Sequence, residues 1–150
     1  MQEQIDKDLK AALLAGDKLK TETLRGLKSA VLNEAIAMGV KDAGLDDERI
    51  QKVLAREAKK RQEAADLYRQ GGNQERAETE LLEKQIIEAY LPEKASESDI
   101  AKVVEEEVAK IDSPSPASMG QVISAVRAKF GAGADGATIA RLVKERLSSQ

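Results

Sequence analysis

Gly131, Gly133 and Gly136 stand in the spacing G-x-G-x-x-G. Between a strand and a helix, that pattern cradles a dinucleotide pyrophosphate. Here the residues before Gly131 repeat with a helical period, so the expected structure is a helix–helix turn, with Asp135 capping the helix that follows. Carboxylates are plentiful, as in Glu105-Glu106-Glu107 and Asp46-Asp47-Glu48. Acid–base chemistry by a carboxylate pair needs unequal burial to separate the two pKa values. These runs instead fall on polar helix faces or at helix starts, where acids suit the macrodipole. The chain contains no His and no Cys. That removes the commonest metal ligands, the commonest general base and every Ser-His or Cys-His arrangement. No catalytic residue, metal or cofactor is expected.

The basic residues carry more information. Between Arg49 and Arg61 six positive residues, among them Arg56, Lys59 and Lys60, face one acid, Glu57. From Met119 to Gln150, Arg127, Lys129, Arg141, Lys144 and Arg146 stand against Asp135 and Glu145, a local +3. Glu93 to Asp112 has the opposite balance, with seven acids and three lysines. A polarised lobe of this kind can aim a basic face at phosphates. Aromatics are only 2 % of the chain, so base stacking on ring platforms is not expected. The net charge of −3 argues against sequence-blind coating of DNA.

The elements that must position these residues read as helices throughout. An aliphatic composition with few rings favours packed helices over a sheet. The first helix is expected over Glu3–Ala15, facing inward with Ile5, Leu9, Ala12 and Leu13. The second runs over Lys18–Met38, with Leu24, Leu27, Val31, Ala35 and Met38 inward. A third helix, started by Asp46 or Asp47, reaches Gln70 through Ile50, Val53, Leu54, Ala58, Ala65 and Tyr68. Gly71-Gly72-Asn73 turns the chain into a fourth helix over Gln74–Tyr90, with Leu82, Ile86, Ala89 and Tyr90 inward. The short turn makes these two a long antiparallel hairpin.

Pro92 to Ala95 reads as a linker, and Ser96 with Asp99 as a capping box that opens the fifth helix. Asp112 to Ser118 is expected to be extended, because it is proline-rich. Helices over Met119–Phe130 and Ala137–Ser148 complete the chain. The fold class is therefore all-α: an amino-terminal helical lobe with a long hairpin, residues 1–92, and a small three-helix carboxy-terminal lobe, residues 96–150. No apolar leader and no bilayer-spanning run is present, so the expected location is cytoplasmic, without membrane association.

Read as a whole, the order of motifs resembles the YqeY family, free-standing relatives of the tail domain of GatB, the B subunit of glutamine-dependent aminoacyl-tRNA amidotransferases. The residues that carry the resemblance are DKLKTETLRGLKSA (17–30), AREAKKRQEAADLYRQGG (55–72), ERAETELLEKQIIEAYLPEKASESDI (75–100) and MGQVISAVRAKF with GADG (119–136). Tyr90-Leu91-Pro92 is a specific element of the match. The resemblance implies a helical lobe followed by a three-helix lobe. It also implies that a carbon–nitrogen ligase label with glutamine as amide donor belongs to the larger enzyme, whose catalytic parts are not in these residues. Relatives tend to carry a basic residue where this chain has Gly133, and methionine and glycine near Ile123 and Ser124. The turn is accordingly expected to grip phosphate less well.

Three functions follow as expectations. The first is a non-catalytic RNA-binding module, preferring tRNA, with Arg127, Lys129, Arg141 and Lys144 on one lobe and Arg56, Lys59 and Lys60 on the hairpin. The second is a protein–protein adaptor in the translation machinery. The third is an auxiliary subunit in glutamine-dependent transamidation.

Overall fold

Five helices begin where a short polar side chain can accept a hydrogen bond from an otherwise unsatisfied backbone N–H. Asp17 accepts from Lys20 at 3.1 Å, Asp46 from Arg49 at 2.8 Å and Asn73 from Arg76 at 3.1 Å. Ser96 accepts from Asp99 at 3.1 Å, and Asp135 from Thr138 at 3.2 Å. A computed structural model describes residues 1–149, and among these every regular element is helical. The elements are α1 (Gln2–Ala15), α2 (Lys18–Ala37), α3 (Asp47–Gln70), α4 (Gln74–Glu88), α5 (Glu97–Ala109), α6 (Met119–Phe130) and α7 (Gly136–Ser148). Single 3-10 turns lie at Pro116–Ser118 and Gly131–Gly133. The all-α expectation holds. The chain divides into two compact units, Met1–Leu91 and the segment from Pro92 onward.

In the first unit the core joins Ile5 of α1, Leu24, Leu27 and Val31 of α2, Ile50, Val53, Leu54 and Ala58 of α3, and Ile87 of α4. Farther out, α3 and α4 form the hairpin. Gly72, at φ 78°, takes the left-handed conformation that turns the chain, and Asn73 N–H donates to Tyr68 O at 2.8 Å. Ala65 and Ala77 are fully buried along it, small enough to let the helices approach closely. Polar contacts cross the same seam: Lys84 Nζ donates to Gln62 at 2.8 Å, and Arg61, paired with Glu57 of its own helix at 2.7 Å, reaches Glu83 of α4 at 3.5 Å. Burial and the charge of Glu80 hold the Glu83 carboxyl above the ordinary carboxylate range, with Arg61 opposing them.

Several inward faces differ from expectation. Leu82 of α4 and Ala89, which caps its end one residue beyond Glu88, are exposed, and Ala77 and Ile87 are buried in their place. Apolar residues stand in adjacent pairs there, Leu81-Leu82 and Ile86-Ile87, so the periodicity fits two faces equally well. Leu13, one position past the buried Ala12 and so turned off α1's inward stripe, and Met38, which caps the end of α2, are also exposed. Tyr68 is only half-buried, with the Arg76 guanidinium 5.7 Å above its ring.

Tyr90 ties the end of the first unit to its beginning, because its hydroxyl donates to the Asp8 carboxylate of α1. Burial, followed by that hydrogen bond and the Asp8 charge, pushes the phenol well above its ordinary value. An unfolded tyrosine ionises near 10. The raised folded value therefore contributes stability that is complete below pH about 10 and is lost progressively as pH rises from there toward the folded value. Tyr90→Phe should lower unfolding stability at neutral pH by about 0.5–1.5 kcal/mol, the hydrogen bond being only partly shielded from water. It should also flatten the alkaline decline. Urea titrations between pH 8 and 11 check this, and identical pH profiles for the two proteins would remove Tyr90 from the account.

In the second unit Ile100, Val104 and Val108 of α5 pack with Val122 and Val126 of α6 and Ile139, Val143 and Leu147 of α7. The proline-rich segment is not wholly extended. Ser118 N–H donates to Ser115 O at 2.9 Å and closes the 3-10 turn at Pro116–Ser118, which leads directly into α6. Proline is tolerated at this first position because its missing N–H would have had no partner there. Pro92 to Ala95 packs on the Gly131–Gly133 turn: Ala95 N–H donates to Gly133 O at 2.7 Å. A Cβ at Gly133 would lie 3.3 Å from Glu93 O, so this glycine makes room for a close backbone approach.

Candidate nucleic-acid interface

The two basic groups singled out by the sequence are present on exposed helix faces, but many of their charges are already engaged. On α3, Arg56 bridges Glu34 at 3.4 Å and Lys60 bridges Glu57 at 3.3 Å. Lys59 is exposed and makes no ion pair among the described residues. The cleft between the end of α2 and the start of α3 is lined by Met38, Val40, Leu45, Asp46, Arg49 and Lys52. Its two cations are turned to Glu34 at 4.0 Å and Glu48 at 3.6 Å.

In the second unit α5 supplies the counter-charges. Lys129 of α6 lies 3.2 Å from Glu106 and 3.4 Å from Glu107. Arg141 of α7 bridges Glu97 and, at 3.3 Å, Glu145 on its own helix. Arg146 is bonded to Glu105. The hydrogen bond to Glu106, and then that to Glu107, holds the Lys129 ammonium above its ordinary value, while Lys110 and Lys129 hold the Glu107 carboxyl below its own. Arg127 and Lys144 are exposed and make no ion pair among the described residues.

Arg127 is placed in a way its sequence position did not suggest. Its guanidinium lies across Gly136 at the first turn of α7; a Cβ there would collide with Nη2 and come within 3.3 Å of Cζ. Glycine at this position gives the arginine its seat. The side chain thus brings positive charge to the G-A-D-G turn from α6, where the sequence offered only Gly133. The glycine-spaced segment itself is preceded by α6 and not by a strand, and Asp135 caps α7 as expected. That is not the geometry of a dinucleotide site.

Among the described residues, no group of three or more acids is placed to hold a metal ion. No helix among them is long and apolar enough to cross a membrane. The candidate residues are thus cations on helices, Arg127, Lys144 and Lys59 exposed without an ion pair among the described residues and the others paired with carboxylates.

These features define a class: an all-helical chain of two units with basic side chains on its outer faces. The family model described as Yqey-like protein matches residues 2–147, and the chain belongs to that family. It is also similar to the "Altered inheritance of mitochondria protein 41, mitochondrial" of Eremothecium gossypii, at 31 % identity over 87 residues. That alignment covers 58 % of this chain and 46 % of the relative, so it spans about half of the relative's length.

Proposed function

We propose that the chain is a non-catalytic RNA-binding module that prefers tRNA and holds it through phosphate contacts and shape. The observation that carries this reading is Arg127: an exposed guanidinium without an ion pair among the described residues, set across the first turn of α7. The guanidinium stands beside the helix end that Asp135 caps and offers its own donors to a phosphate there. Lys144 on α7 and Lys59 on α3 are further exposed cations without ion pairs among the described residues. RNA duplexes are recognised largely through backbone and shape, which suits a surface without aromatic platforms. A relation to the amidotransferase tail domain, suggested by the motif order, supports tRNA as the preferred RNA.

The test is a filter-binding titration with bulk tRNA and a duplex DNA control at two salt concentrations. Selective binding that weakens steeply with salt is the expected result. No retention of tRNA at the lower salt would overturn the reading.

A second reading, the adaptor for a translation-related protein, has its own observation in Leu67 and Leu82, exposed on the hairpin. Solvent-facing leucines on amphipathic helices suit a helical partner surface. Affinity capture in RNase-treated extract, comparing the chain with a Leu67→Ser/Leu82→Ser variant, separates the two readings. Partners lost in the variant support the adaptor, and partners lost only to RNase support the RNA module.

A further inference from the structure

The cations that face α5 are not solvated singly. Lys129, Arg141 and Arg146 each meet a carboxylate of that helix: Glu106 and Glu107, Glu97, and Glu105 respectively. The pairs are long-range, joining residues 23, 44 and 41 positions apart, so tertiary packing and not helix periodicity creates them. Among the described residues, Arg127 and Lys144 alone of the five cations on α6 and α7 lack an ion pair. A carboxylate oxygen bonded to a guanidinium or an ammonium occupies the position that a phosphate oxygen would take.

From this the geometry points to α5 as a built-in polyanion that competes with RNA for the basic face of α6 and α7. The inference rests on the RNA-binding reading and adds a regulatory contact to it. A phosphate reaching Arg141 must displace Glu97, and one reaching Lys129 must displace Glu106, while the largely buried Glu107 keeps its bridge to Lys110. Arg127 and Lys144 need no displacement and make the first contacts. A single-site or sparsely charged anion gains too little at those two residues to open the rest. A dense, properly spaced phosphate array can exchange several pairs together. The acidic helix thereby suppresses indiscriminate polyanion binding and leaves a dense phosphate array as the ligand that engages the whole face. Glu97, Glu105 and Glu106 have side chains 66 %, 60 % and 60 % exposed, so they can swing into solvent without disturbing the core.

The test compares three full-length proteins: the native chain, Glu97→Gln/Glu105→Gln/Glu106→Gln, and a control with the same net-charge change in the other unit, Glu3→Gln/Glu63→Gln/Glu78→Gln. Each is eluted from heparin by a salt gradient and titrated against tRNA. The α5 variant should elute at higher salt than the control and bind tRNA about three- to tenfold more tightly, with a steeper salt dependence. Equal heparin elution for variant and control would overturn the inference, because net charge alone would then explain any gain. Later elution from heparin with no tRNA binding by any of the three would uphold the screening by α5 and overturn the RNA reading instead. Unchanged circular dichroism melts confirm that the exposed glutamines leave both units folded.

Discussion

Leu27→Ala is expected to destabilise the amino-terminal unit by about 2–5 kcal/mol, the largest stability effect foreseen for a single side chain here. Leu27 is completely buried, and it lies where α2 shares one core with Ile5 of α1, Leu54 of α3 and Ile87 of α4. Truncation removes the transfer free energy of the lost carbons and leaves a cavity that four helices line. Helices held by caps and ladders at their ends cannot collapse freely into such a cavity. The measurement is hydrogen exchange resolved by peptide. Protection in α2, α3 and α4 should fall at least about thirtyfold, the equivalent of 2 kcal/mol, if exchange there proceeds through opening of the unit. Protection in α6 and α7, whose core is built from Val126, Ile139 and Val143, should stay near its native level. An equal fall in both units would show that they unfold as one, and that the two cores are not energetically separate.

Most of the fold was legible because local chemistry and burial agree. Asp17, Asp46, Asn73, Ser96 and Asp135 sit where helices begin, and each caps the helix it precedes. Val122 and Val126 on α6, and Ile139, Val143 and Leu147 on α7, recur every fourth residue and are buried, while Met119, Ile123, Phe130 and Leu142 beside them are half-buried. Legibility ended where a helix changes its surroundings along its length. Near its start α4 buries Ala77 against α3, and near its end it buries Ile87 in the core it shares with α2, so no single stripe describes it. Proline-rich composition likewise did not reveal the Pro116–Ser118 turn, because proline at the first helical position leaves helix formation intact.

The candidate site was legible as a list of charges and opaque as an arrangement. Arg127, Lys129, Arg141 and Lys144 were countable from the sequence, but their partners were not. Glu97 and Arg141 are 44 positions apart, and no local spacing connects them. Nor could spacing show that Gly136 is the seat of the Arg127 guanidinium, since glycine after Ala-Asp reads as a helix start in any case. The consequence is a change of rank. Arg141 was a leading contact by sequence, whereas the structure gives it two carboxylates before any ligand arrives. Arg127 and Lys144 move ahead of it.

That ranking sets the largest binding effect expected under the RNA reading: Arg127→Glu/Lys144→Glu should weaken tRNA binding more than tenfold. It should also reduce the slope of log K against log salt by about 1.4–1.8, the share of two phosphate contacts. Arg141→Ala should cost severalfold at most, because its removal also releases Glu97 and Glu145 from a pair that already competes with the ligand. Stability gives the control. A glutamate at 127 would bring negative charge to the first turn of α7, where the helix dipole favours it by about 0.3–1 kcal/mol. The Arg127→Glu single variant should therefore melt no lower than the native chain while it weakens tRNA binding. Lys144→Glu instead sets an acid beside Glu145 toward the C-terminal end of α7, so each single variant is melted beside the double one. Filter binding across a salt series, beside thermal melts of the same preparations, tests both halves. A native salt slope in the doubly reversed protein would take Arg127 and Lys144 out of the interface. A larger loss from Arg141→Ala than from the double reversal would mean that RNA opens the α5 pairs first, and that the exposed cations are not where binding begins.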